Sequence, residues 1–134
     1  MRIIICFIAF ILIIAGCKKN TLPDPVPTDI QLRIQNATPW DFTNCIIDPP
    51  GVPSSSAGPA PFNYGSIDVN KISSYHKFES LYSYAYVSLN MNGIAYVLQP
   101  YDYFGEEPLG NGKYTYKISY LWNTDRLFVE LIKD

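Results

Sequence analysis

The chain has one histidine, His76, and any acid–base or nucleophilic chemistry that needs an imidazole must pass through it. Ser73 and Ser74 lie just before it, and Asp68 or Asp102 would complete a Ser-His-Asp set of the kind a small hydrolase uses. No Gly-x-Ser-x-Gly elbow or other nucleophile signature surrounds any serine, the triplet at 54–56 included, so His76 reads as an exposed strand residue. Asp102, Glu106 and Glu107 supply the only dense carboxylates, for glycoside hydrolysis or for calcium. An acid–base pair needs a cleft that separates the two pKa values, and a calcium loop needs acidic residues at alternate positions around a glycine turn. Neither pattern is present. The sequence therefore implies no catalytic residues, no metal and no cofactor, and the expectation is a protein that is not an enzyme.

Tyrosine is the compositional oddity, because all eleven lie at or after Tyr64. Tyr82, Tyr84 and Tyr86 share one face of an alternating run. They form either an aromatic platform, with Tyr101 and Tyr103 nearby, for a sugar ring or a protein partner, or the lining of a second sheet. Tyr114, Tyr116 and Tyr120 are expected to face the core with their hydroxyls at its rim.

These residues need strands to position them. Residues 82–100 read as a β-hairpin about Asn92-Gly93, which accepts the positive φ angles of a type I′ turn. That turn sets Met91 opposite Ile94, Leu89 opposite Tyr96 and Val87 opposite Leu98, one apolar face directed at the core. Residues 30–36 alternate as a half-buried strand. In the next run, Phe42, Cys45 and Ile47 share a face only if the strand is bulged. Residues 48–61, rich in proline, glycine and serine, read as a long exposed loop. Short strands follow over 62–67 and 72–78, separated by a turn at 68–71. Residues 113–122 alternate strictly, and 126–133 send Leu127, Val129 and Leu131 to one face. A two-residue loop at Asn123-Thr124 would set Ile118 opposite Val129 and Lys117 opposite Glu130, whereas a four-residue loop is expected to keep the faces but break that charge pairing. No helical periodicity of useful length appears after residue 29. Seven or eight short strands favour an all-β, antiparallel β-sandwich, immunoglobulin-like or transthyretin-like.

The N-terminus bears on compartment. Arg2 is followed by an apolar run over 3–14, too short for the roughly 20 residues of a spanning helix but suited to a signal peptide. It ends in Ile14-Ala15-Gly16-Cys17, which resembles the lipobox of bacterial lipoproteins. That resemblance implies cleavage before Cys17 and lipidation of its thiol with fatty acyl chains, palmitate among them. Lys18 after the cysteine resembles cargo sorted onward to the outer membrane. The domain organisation is then a signal peptide over 1–16, a lipidated cysteine and proline-rich tether over 17–29, and one β-sandwich domain over 30–134. The 118 residues left after cleavage suffice for one domain. Their 9 basic and 12 acidic side chains leave a net charge near −3, which argues against nucleic acid as a partner. Cys45 would be the one remaining cysteine, without an intrachain disulfide, and reads as a small buried hydrophobe.

The stretches Gly65-Ser66-Ile67, Tyr84-Ala85-Tyr86, Leu98-Gln99-Pro100 and Asn111-Gly112-Lys113-Tyr114-Thr115-Tyr116, together with the lipobox, resemble small lipoproteins of Bacteroidetes-type bacteria with a C-terminal β-sandwich domain. The resemblance covers about residues 63–134 and supplies no catalytic residues. The functional expectation is a non-enzymatic cell-envelope lipoprotein, held at the outer membrane by its lipid, whose domain is a binding or accessory module for a protein or glycan partner. A periplasmic hydrolase using His76 and a carboxylate is the alternative. An adhesive or structural polymer subunit, donating residues 30–36 as an edge strand, is another.

Overall fold

A computed structural model describes residues 27–49, 60–100 and 106–134. The lipobox with Cys17, most of the tether, residues 50–59 of the proline-rich loop, and Tyr101, Asp102 and Tyr103 lie outside the described residues. Eight strands are present among the described residues: β1 (Ile30–Asn36), β2 (Phe42–Asp48), β3 (Phe62–Asn63), β4 (His76–Phe78), β5 (Tyr86–Met91), β6 (Ile94–Leu98), β7 (Gly112–Leu121) and β8 (Arg126–Lys133). They form two four-stranded sheets, ordered β4-β1-β7-β8 and β3-β2-β5-β6, so the domain is an all-β sandwich.

Local chemistry accounts for most of the strands. In β1, Ile30, Leu32 and Ile34 are buried, while Gln31, Arg33 and Gln35 between them are half-buried. The β5–β6 hairpin has the register its turn demands, with Met91 facing Ile94, Leu89 facing Tyr96 and Val87 facing Leu98. Asn92 and Gly93 both take positive φ, 50° and 74°. In β2 the register shifts between Thr43 and Ile46, and Asn44 takes a φ of 50°. That bulge lets Phe42, Cys45 and Ile47 all point into the core. The β7–β8 turn spans residues 122–125 rather than two residues. It widens symmetrically, with Leu121 facing Arg126, so Ile118 still faces Val129 and Lys117 still pairs with Glu130 at 3.3 Å.

The sheets meet across one core. Leu32, Ile34, Tyr116 and Ile118 come from the first sheet, and Phe42, Ile47, Val87, Leu89 and Met91 from the second. Its tyrosines place their hydroxyls at the rim, where Tyr116 donates to the Tyr82 carbonyl at 2.8 Å and Tyr114 to that of Gly110 at 2.9 Å.

Several expectations are corrected. β1 pairs antiparallel with β4 on one side and parallel with β7 on the other, so it lies inside its sheet and is not an edge available for donation. The parallel pairing needs a long crossover, and the whole second sheet together with β4 lies within it. The apolar face of β6 is only partly covered. Ile94 is 54% exposed, and Tyr96 and Leu98 are half-buried, because β6 is the edge strand of its sheet. The strand of the hairpin begins at Tyr86 rather than Tyr82. The expected strand over 72–78 is reduced to His76–Phe78 and an isolated bridge from Ile72 to Gln35, and that over 62–67 to Phe62–Asn63 and a bridge from Ile67 to Phe42.

Candidate functional site

The parallel pairing of β1 with β7 brings the C-terminal ends of both strands to the same end of the sandwich. Asn36 lies beside Ile118, and the next amide, that of Ala37, donates to the Ile118 carbonyl at 2.8 Å. The turn leaving β1 therefore lies against the turn joining β7 to β8. The first carries Trp40, and the second carries Trp122 and Asp125. Because Phe42 pairs with Met91, the β5–β6 turn arrives at the same end, with Tyr96 two residues into β6.

The turn that presents Trp40 is held by the carboxamide of Asn36, which is fully buried. Its Nδ2 donates to the carbonyls of Trp40 at 2.8 Å and Ile67 at 2.9 Å, and its Oδ1 accepts from the Thr38 amide at 2.9 Å and hydroxyl at 2.8 Å. All of its hydrogen-bonding capacity is used, as a buried amide requires.

On this base four aromatic rings interlock. Trp40 meets Tyr120 edge to face at 5.3 Å and Trp122 at 5.2 Å. Tyr120 meets Trp122 at 5.0 Å and Tyr96 at 6.1 Å, both near perpendicular. The Tyr120 and Tyr96 hydroxyls both donate to Oδ1 of Asp125, Tyr96 at 3.4 Å. The bond to Asp125 first, then burial and the Tyr96 hydroxyl, push the Tyr120 phenol far up, so it remains a donor at every physiological pH. Trp122 is nevertheless 70% exposed. Beside the rings, between the edge strands β6 and β8, an open cleft of about 700 Å³ is lined by residues 96–100 and 125–127.

The residues singled out by sequence fall elsewhere. Tyr82, Tyr84 and Tyr86 are half-buried, between the two arrangements expected of them, and Tyr101 and Tyr103 lie outside the described residues. Tyr120 is half-buried and packs against the core as expected, with its hydroxyl on Asp125 at the rim, and its ring also joins the aromatic end. His76 is half-buried rather than exposed. It stacks on Phe62 at 3.4 Å and meets Phe78 edge to face, and burial lowers its pKa. Ser73 spends its hydroxyl on β1, accepting from the Ile34 amide at 2.9 Å, and donates to the Ser74 carbonyl. Glu106 and Glu107 are exposed, and Glu106 accepts from Ser83 at 3.5 Å. Cys45 is a free, buried thiol whose pKa burial pushes up to about 12, which suits a core residue and not a nucleophile.

The sequence does not point to the aromatic end, because Trp40 and Trp122 come from separate turns and Tyr96 and Tyr120 from strands of different sheets. A signal was available: Trp122 carries the alternation of Tyr114, Tyr116, Ile118 and Tyr120 one step past the strand into a polar turn, and the chain's other tryptophan, Trp40, follows the turn residues 36–39. Comparison with protein-family models, with curated proteins and with solved structures finds no match.

Proposed function

We propose that the protein is a non-enzymatic cell-envelope lipoprotein, held at the outer membrane through lipid on Cys17, whose sandwich is a binding or accessory module for a protein or glycan partner. The observation that carries the binding role is the exposed ring of Trp122, braced by the half-buried Trp40 and Tyr120 beside an open cleft. Exposed tryptophan is unfavourable for a surface whose only task is solvation, and a rigid aromatic anchor loses little conformational entropy on binding. The anchor follows from the lipobox-like Ile14-Ala15-Gly16-Cys17.

The test has two parts. A fatty-acid label fed to expressing cells should appear on the wild-type chain and vanish from Cys17→Ser, with the variant leaving the membrane fraction. The full chain in detergent should retain a saturable protein or glycan ligand from solubilised envelopes, and Trp122→Ala should retain less. Label on Cys17→Ser would overturn the anchor. Failure to retain any envelope ligand saturably would overturn the binding role.

A further inference from the structure

We infer that the aromatic end of the sandwich is a binding site for a neutral glycan, with a sugar ring stacked on Trp122 and its hydroxyls bonded to Asp125 and to the wall of the adjoining cleft. This inference rests on the reading of the domain as a binding module and names its site and ligand class.

Three features select the ligand. Trp122 is held at an angle by Trp40 and Tyr120, so its exposed ring is preorganised before anything binds. A sugar ring offers an apolar C–H face to such a surface and a rim of hydroxyls at its edge. Asp125 lies beside the rings with both phenols converging on Oδ1, which fixes the carboxylate, while Oδ2 accepts from no described residue. A hydroxyl can donate to that oxygen. Arg126 and Gln99 on the cleft wall supply donors to the same ligand. The cleft lies within the roughly 300–1,000 Å³ of small-ligand sites, with polar groups spaced among apolar ones.

The same features disfavour other occupants. The centre of a protein–protein interface is depleted of charge, and burying Asp125 there would desolvate a carboxylate whose described partners are neutral phenols. Single-stranded nucleic acid would stack on the rings but needs a basic groove, whereas this site has a carboxylate at its centre in a chain of formal charge −2. A neutral polyhydroxylated ligand meets neither objection.

Both of the chain's tryptophans belong to the site, so intrinsic fluorescence reports it directly. The full chain in detergent is titrated with neutral gluco-, galacto-, manno- and xylo-oligosaccharides. At least one should change the emission saturably, and Asp125→Asn, which keeps an acceptor for the phenols, should weaken binding about tenfold. Trp122→Ala should abolish binding in an affinity gel with unchanged circular dichroism, and Trp122→Phe should restore part of it. No response to any of these sugars, or binding equal in Trp122→Ala, would overturn the glycan assignment. An envelope protein retained saturably without any sugar response would overturn this inference while leaving the binding-module reading intact. Loss of both would remove both.

Discussion

Trp40 and Tyr120 meet edge to face at 5.3 Å although nearly the whole domain separates them in the chain, and the contact exists because β1 and β7 run parallel. Parallel neighbours deliver their C-terminal ends to the same place, so two unrelated turns become one surface. Had β7 paired antiparallel with β1, Trp122 would lie at the far end of the sandwich from Trp40. The topology thus builds the aromatic end, and its members contribute to stability in unequal amounts.

Trp122→Ala should cost no more than about 1 kcal/mol of unfolding free energy, because the ring is mostly exposed and loses only a tilted contact with Trp40 and an edge contact with Tyr120. Urea denaturation followed by circular dichroism measures it. A loss of several kcal/mol would show that the ring supports the fold rather than a ligand.

Asn36→Ala should cost about 2–4 kcal/mol, since it removes the acceptor of the buried Thr38 amide, one of two donors to the Ile67 carbonyl, and a tie to the turn that carries Trp40. Asn36→Asp should also destabilise, because carboxylate oxygens would replace the Nδ2 donor that faces two carbonyls. The same urea measurement, with tryptophan emission as a second probe, should show the Trp40 environment loosening in both variants.

The hairpin tests the local part of the argument. Gly93 has a φ of 74° and open space where a Cβ would stand, so Gly93→Ala meets a conformational cost of about 1 kcal/mol and no clash. A larger loss in thermal or urea unfolding would point to a contact the turn does not have.

What was legible in the sequence follows the same divide between local and distant. Asn92-Gly93 set the β5–β6 register because a type I′ turn leaves one pairing, and the spacing of Phe42, Cys45 and Ile47 announced the bulge at Asn44 because a side-chain period of two cannot otherwise bury all three. The partners of β1 were not legible, since alternation gives the buried face of a strand and nothing about its neighbours. The exposed Ile94 shows a related limit: the pattern of β6 is that of a core strand, and only its place at a sheet edge uncovers it. Thr115 is buried on the polar face of β7 because Arg33 and Asp134 close over it, a cluster assembled from three strands and their ends.

That cluster makes stability depend on acid. Burial pushes the Asp134 carboxyl up, but hydrogen bonds from Tyr75 and Thr115 and the Arg33 guanidinium outweigh it and hold the group below its ordinary 3.8. A depressed carboxyl stabilises the fold above its unfolded value and loses that contribution as pH falls through the folded one. The urea midpoint should therefore drop as pH falls below about 4, and Asp134→Asn should flatten the drop. An unchanged acid limb in that variant would place the effect in other carboxylates.

Cys45 gives the alkaline counterpart. Its thiol is buried among the β2 core residues and is pushed from 9.0 to about 12 by that burial. The sign is opposite to that of Asp134. In the unfolded chain the thiol ionises near its ordinary value, while in the folded chain it stays protonated, so the contribution is complete below pH 9 and is lost as pH rises toward 12. Cys45→Ala removes this dependence, at the cost of a small cavity. The wild-type midpoint in urea should therefore fall more steeply above about pH 9 than that of the variant. At neutral pH a maleimide should leave native Cys45 unmodified and label it only in denaturant, because the thiolate is scarce and the side chain is sealed between the sheets. Rapid labelling of the native chain at Cys45 would mean that the second sheet opens locally at β2, next to the bulge at Asn44.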